Sequence, residues 1–131
     1  GHGSSVADIA AGRSADGTWK GMAPGAKVVA VKVCSAVSSS CSGLAILQGL
    51  DFSLDPNQDG DLSDAVEVVN MSLGANYGQR ENPSVLASQN VVRFGTVVVA
   101  SAGNGGDNPF ITGSPSSTPE AISVAQTPVP G

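Results

Sequence analysis

Thr96-Val97-Val98-Val99-Ala100, followed by Ser101-Ala102-Gly103-Asn104-Gly105-Gly106, decides the fold class. Valine and alanine run on without polar alternation, and glycine stands at both ends. Such a strand is buried on both faces, which requires helices on either side of a parallel sheet. Working back, Asn82-Pro83 reads as a cap with proline at the first helical position, and Gly95 follows the last apolar residue, so a helix is expected through Phe94. A strand of the same kind is expected over 66–71. Ile46, Leu47, Leu50 and Leu54 mark one face of a helix capped by Ser42. A further strand is expected over 27–33 (KVVAVKV), after a turn at Ala23-Pro24-Gly25. Val6, Ile9 and Ala10 sit at helical spacing ahead of Gly12, and a last strand is expected over 122–125. The alternation predicts an α/β fold of three layers, a mostly parallel sheet with helices on both faces and right-handed crossovers. Ligands of such sheets bind outside the carboxyl ends of the strands. The polar, glycine-rich segments 34–42, 72–78 and 103–108 fall there.

The chain has 131 residues, enough for one core and too few to expect two domains. Hydrophobic residues make up 40%, which excludes compositional disorder. A net charge of −5, with six scattered basic residues, argues against a nucleic-acid partner. No apolar run approaches the roughly 18 residues of a membrane span. The opening Gly1-His2-Gly3 and the closing Pro128-Val129-Pro130-Gly131 read as cuts within a longer chain, the second as a linker.

His2 is the only histidine. Imidazole changes charge near neutral pH, which suits general-base chemistry, and a helix start presents it well in a cleft. On its own, a lone histidine is more often structural, or a tag remnant, than catalytic. Asn104 is a turn asparagine or, with its neutral amide, a donor to an oxyanion. Ser72 is a weak nucleophile candidate, because Asn70-Met71-Ser72-Leu73-Gly74 lacks the first glycine of Gly-x-Ser-x-Gly. Asn70-Met71-Ser72 is a formal glycosylation sequon, expected to be unused at a buried strand end. The run 102–106 does not match a dinucleotide-binding Gly-x-Gly-x-x-Gly.

Cys34 and Cys41 are separated by six residues in a serine-rich segment, a span that a disulfide can close. A disulfide places the protein outside the cytosol, whereas free thiols would not. In the acidic loop 55–64, Asp55, Asn57, Asp59, Asp61 and Asp64 offer hard oxygen ligands around Gly60, which suits a structural calcium ion. The match to the EF-hand pattern is partial, since Val66 holds the closing glutamate position. The alternative is a solvated acidic turn.

Four motifs together carry a specific resemblance. The His2-Gly3-Ser4-Ser5-Val6-Ala7-Asp8 stretch resembles the subtilase histidine motif His-Gly-Thr-His-Val-Ala-Gly, with Ser4, Ser5 and Asp8 as departures. Gly21-Met22-Ala23-Pro24-Gly25-Ala26 with Val31-Lys32-Val33, Asn70-Met71-Ser72-Leu73-Gly74, and Val97 to Asn104 resemble three further subtilase motifs in the family's order. The resemblance covers nearly the whole chain and implies one subtilisin-like peptidase catalytic domain over 1–131, truncated at both ends. It implies a serine endopeptidase acting on protein or peptide substrates, secreted or extracytoplasmic. His2 would be the general base and Asn104 the oxyanion donor. Ser72, Leu73, Gly74, Ala102 and Gly103 would line the substrate cleft, and Cys34 to Cys41 would stiffen its rim. The family's aspartate motif Asp-[Ser/Thr]-Gly and serine motif Gly-Thr-Ser-Met-Ala are not in these residues. The segment by itself should therefore be inactive and would need the remainder of its own catalytic domain as partner. A large parent with an inserted protease-associated domain is one expectation. A non-catalytic subtilase-like module that binds peptides or partners is the runner-up function.

Overall fold

The computed structural model describes residues 1–38 and 40–127. The expected linker at 128–131 lies outside the described residues. Among the described residues, three helices and three strands follow in the order α1 (His2–Ala11), α2 (Gly43–Leu54), β1 (Val68–Met71), α3 (Pro83–Arg93), β2 (Val97–Ser101) and β3 (Ile122–Val124). A short 3-10 turn, Leu62–Asp64, precedes β1.

The helix ends follow the local chemistry. Ser42 Oγ accepts from the Ala45 N–H at the start of α2, and Asn82 Oδ1 accepts from the Ser84 N–H at the start of α3. Pro83 stands first in α3, where its missing N–H has no helical acceptor to lose. Beyond Arg93, Gly95 adopts φ +103 and its N–H returns to the Val92 carbonyl at 2.9 Å, closing the helix.

All three strands are parallel, in the order β1-β2-β3. Val69 pairs with Val98, Met71 with Ala100, and Ala100 with Ser123. Those positions share one face of the sheet. There Met71, Val98 and Ala100 cluster with Leu50 of α2 and Val91 of α3 as the core. Burying a Leu or Val side chain of this kind contributes about 1.5–3 kcal/mol. The other face carries Val68, Val97, Ile122 and Val124, all exposed among the described residues. The α/β class with a parallel sheet is thus present, and α2 and α3 cover one side of it.

Residues 27–33 are a correction: they form no strand. A strand needs a ladder partner for its N–H and C=O groups, and none lies alongside among the described residues. Val28, Val29 and Val31 remain exposed. The segment still lies against α2, since a side chain at Gly49 would meet the methyls of Val31 and Val33. Cys34 and Cys41 are disulfide-bonded, as their spacing allowed, and close a hairpin-like loop in which the Ser35 N–H reaches the Ser40 carbonyl at 2.8 Å.

Near the end of α1, a turn joins Arg13 to Lys20 in an antiparallel bridge. The Asp16 carboxylate accepts from Ser14 Oγ, the Thr18 N–H and Thr18 Oγ1. Hydrogen bonds to the charged form, that of Ser14 first, lower its pKa from 3.8 to about 2.

Candidate active site

Three strand ends point the same way. Met71, Ser101 and Val124 close the parallel ladder, and the chain leaves each through a polar or glycine-bearing segment. A cleft of about 450 Å³ opens there, lined among others by Asn70, Ser72, Ser101, Gly103 and Asn104. Its location is the one the sheet topology predicts.

His2 stands beside the cleft in the first turn of α1, where the Ser4 and Ser5 N–H groups bond the Gly1 carbonyl. Its Nε2 lies 2.9 Å from the Ser72 carbonyl oxygen. Ser72 is held from the other side by Asn70, whose Nδ2 donates to Ser72 Oγ at 3.0 Å. Asn70 is exposed and lines the cleft, so the expectation of a buried sequon is corrected. A strand end that opens into a cleft leaves alternate side chains in solvent.

Asn104 follows Gly103, whose φ of +105 requires glycine. Ser101 Oγ accepts the Gly103 N–H at 3.2 Å and fixes the turn to β2. The Asn104 side chain is exposed at the cleft and makes no hydrogen bond among the described residues. The fold therefore brings His2, Ser72, Gly103 and Asn104 to one edge. It does not treat all expected cleft residues alike. Leu73 is half-buried and packs on the core cluster, and the Ala102 N–H bonds the Val124 carbonyl at 2.8 Å. Gly74 backs onto the Ser114 carbonyl, 3.0 Å from where its Cβ would stand.

One element went unnoticed in the sequence. Residues 111–118 run behind the cleft, with Ser114, Ser116 and Thr118 buried. Ala75 and Ser114 exchange two backbone hydrogen bonds of 3.0 and 2.9 Å. Ser116 Oγ pairs with Ser123 Oγ at 2.6 Å, and Thr118 Oγ1 donates to the Pro115 carbonyl at 2.6 Å. Gly-Ser-Pro-Ser-Ser-Thr has the composition of a solvated turn. Its only signal is length: 102–121 joins two parallel strands without a helix, and long irregular connections are usually functional.

The acidic loop lies elsewhere, between α2 and β1. Asp55 accepts from the Asp59 and Gly60 N–H groups, Asp59 Oδ1 from the Asp61 N–H, and Asp61 Oδ1 from the Ser63 N–H. Gln58 (φ 61) and Gly60 (φ 82) make the tight reversal. Among the described residues no three His, Cys, Asp or Glu side chains converge as a metal-binding group, and Asp64 stands apart in the 3-10 turn. Each oxygen that accepts one N–H keeps a second lone pair, so the donor chemistry remains compatible with a hard cation.

Comparison with known proteins agrees with the motifs. The subtilase family model matches residues 1–129. Subtilisin-like protease 3 of Pseudogymnoascus destructans is 39% identical over 97% of this chain and 29% of its own length. Minor extracellular protease Vpr of Bacillus subtilis is 34% identical over 98% of this chain and 14% of its own, and serine protease AprX of the same organism 31% over 95% and 29%. The chain thus spans less than a third of each of these relatives. With the family match running through the His2 helix, the Ser72 strand end and the Asn104 turn alike, the chain belongs to the subtilase family of serine proteases.

Proposed function

We propose that this chain supplies part of the active site of a serine endopeptidase, with His2 as general base and Asn104 as oxyanion donor. The observation that carries the proposal is that Ser72 is shared: His2 Nε2 lies 2.9 Å from its carbonyl, and with Asn104 it lines the cleft at the sheet edge. The full-length protein contributes the serine that attacks the peptide carbonyl and the aspartate that orients the imidazole. His2 takes the serine proton and later returns it to the leaving amine. Negative charge on the carbonyl oxygen meets the Asn104 amide, a neutral donor with no other partner to give up. The peptide backbone adds as a strand along 72–74, beside which Gly103 leaves space. These 131 residues lack both family motifs for the other triad members, so alone they hydrolyse nothing.

Two further assignments go with this function. The Cys34–Cys41 disulfide supports an extracytoplasmic location, and no helix among the described residues is long and apolar enough to cross a membrane. Asp55, Asn57, Asp59 and Asp61, with Asp64 brought in, are proposed to hold a structural calcium ion, away from the chemistry.

Fluorophosphonate labelling of the full-length protein, beside its His2→Ala variant, tests the protease assignment. Labelling of the parent that disappears in the variant is the expected result. A folded, mature parent that takes no label would instead indicate the non-catalytic binding module.

A further inference from the structure

Asn104 can help only if its amide is aimed, yet a glycine stands on each side of it. Gly103 and Gly106 both lie in the left-handed region, at φ +105 and +79, and the Asn104 side chain has no hydrogen bond of its own among the described residues. Ser101 Oγ takes the Gly103 N–H and Asn108 Nδ2 donates to the Gly105 carbonyl at 3.0 Å, bonds that hold the turn's backbone and leave the Asn104 amide to be aimed by what packs around it. Two side chains from outside the turn close on it. A Cβ at Gly103 would stand 3.6 Å from Asn76 Oδ1, and a Cβ at Gly105 3.5 Å from Asn76 Nδ2. The Asn76 carboxamide therefore faces the side-chain space that both glycines flanking Asn104 leave open. Ile111 fills the space beside Gly105, its Cδ1 2.8 Å from the Cβ position and its Cγ1 nearer still.

Both braces stand on a fixed base. On either side of Asn76, the Ala75 N–H and C=O bond Ser114, and the Tyr77 N–H reaches the Ile111 carbonyl at 3.2 Å. The Gly78 N–H reaches the Thr112 carbonyl at 2.9 Å. Segment 75–78 is thus laddered to 111–114, and the ladder carries Asn76 and Ile111 together against the turn.

We propose that Asn76, with Ile111 behind Gly105, is a positioning residue that holds the Gly103-Asn104-Gly105 turn so that the Asn104 amide faces the developing oxyanion. The inference rests on the oxyanion assignment of Asn104. Asn76 touches neither substrate nor reacting atoms. It acts through the turn, where a misplacement of about 1 Å costs up to about 10²-fold in rate.

The test is a double-mutant cycle in the full-length protein, with Asn76→Ala, Asn104→Ala and both, read as kcat and KM on a peptide anilide and as Tm. For Asn104→Ala the expected fall in kcat is on the order of 10²–10³-fold, the scale established for the oxyanion asparagine of subtilisin itself. Asn76→Ala is expected to lower kcat by about 10-fold or more with KM unchanged. In the Asn104→Ala background it should cost nothing further. Asn76 is exposed, so Tm should hold. An unchanged kcat for Asn76→Ala, or the same fold-loss with and without Asn104, overturns the positioning role and leaves the oxyanion assignment standing. An Asn104→Ala protein with full kcat removes that assignment and the brace with it.

Discussion

The Nε2 of His2 and the carbonyl oxygen of Ser72 lie 2.9 Å apart across 70 positions of sequence. The contact joins the first turn of α1 to the residue that follows β1. A carbonyl oxygen only accepts, so Nε2 carries the hydrogen in this contact. To take a proton from a serine, Nε2 must first be bare. If His2 serves as the proposed general base, it works from the other tautomer, with Nδ1 protonated.

The proposed role has His2 act on a proton in flight and not on bound peptide, so its loss should appear in kcat. His2→Ala in the full-length protein is expected to reduce kcat by on the order of 10⁶-fold, the scale found for the histidine of subtilisin itself. KM should change little. A KM rise with kcat intact would assign His2 to substrate binding and remove it from catalysis.

The sequence foretold the parts of the fold that depend on local chemistry. Ser42, Asn82-Pro83 and Gly95 marked helix ends that the structure shows, because caps act within a few residues. The unbroken valines of 97–99 announced a parallel strand, and the strand-end rule then placed Ser72 and Asn104 at one edge. What stayed hidden depends on distant partners. Residues 27–33 have strand composition, but pairing is a property of two segments. Leu73 follows the cleft residue Ser72 in sequence yet turns to the core, as alternation along an extended chain requires. The buried polar run 111–118 could not be read at all: Ser116 and Thr118 are buried with distant or local acceptors for their hydroxyls, and Ser114 Oγ is buried with none among the described residues.

That hidden segment yields its own prediction. A Cβ at Gly113 would run into the Ala75 carbonyl, with the Ala75 carbonyl carbon 2.7 Å away. Backbone cannot swing aside as a side chain can, so Gly113→Ala must break the Ala75–Ser114 pair. Expected are a stability loss of about 2 kcal/mol or more and a higher KM, because 72–74 loses its backing. Denaturant unfolding together with steady-state kinetics reads both. Wild-type stability and KM would show that the pair does not shape the cleft.

Asp16 gives a pH dependence with a definite sign. Its folded pKa is about 2 against an ordinary 3.8, so the carboxylate favours the folded turn. That contribution is complete above about pH 4 and fades as pH falls from there through about 2. In Asp16→Asn the fading should vanish, and the Arg13–Lys20 turn should be looser at neutral pH. An NMR titration following the Thr18 amide, which bonds Asp16 at 3.1 Å, reports it directly. A midpoint near the ordinary carboxylate value would mean that the three donors to Asp16 add nothing in solution.

The acidic loop separates a calcium site from a self-sufficient turn. Its carboxylates already accept four backbone N–H groups, from Asp59, Gly60, Asp61 and Ser63, so the reversal can form without an ion. A bound ion would recruit the remaining lone pairs and pull Asp55, Asn57, Asp59 and Asp61 inward, gaining stability by mass action. At free calcium about 100 times Kd the gain is about 2.7 kcal/mol, or roughly 5–10 °C in Tm for a catalytic domain of ordinary size. The full-length protein should lose that increment on chelation and regain it with calcium but not with magnesium, which demands a stricter octahedral shell. Asp59→Ala should melt at one temperature in either condition. The slope of Tm against calcium is the decisive quantity, because Asp59→Ala also removes a cap on the Asp61 N–H and lowers Tm for that reason alone. A wild-type Tm indifferent to chelation would leave the loop as a hydrogen-bonded turn whose carboxylates serve only the backbone.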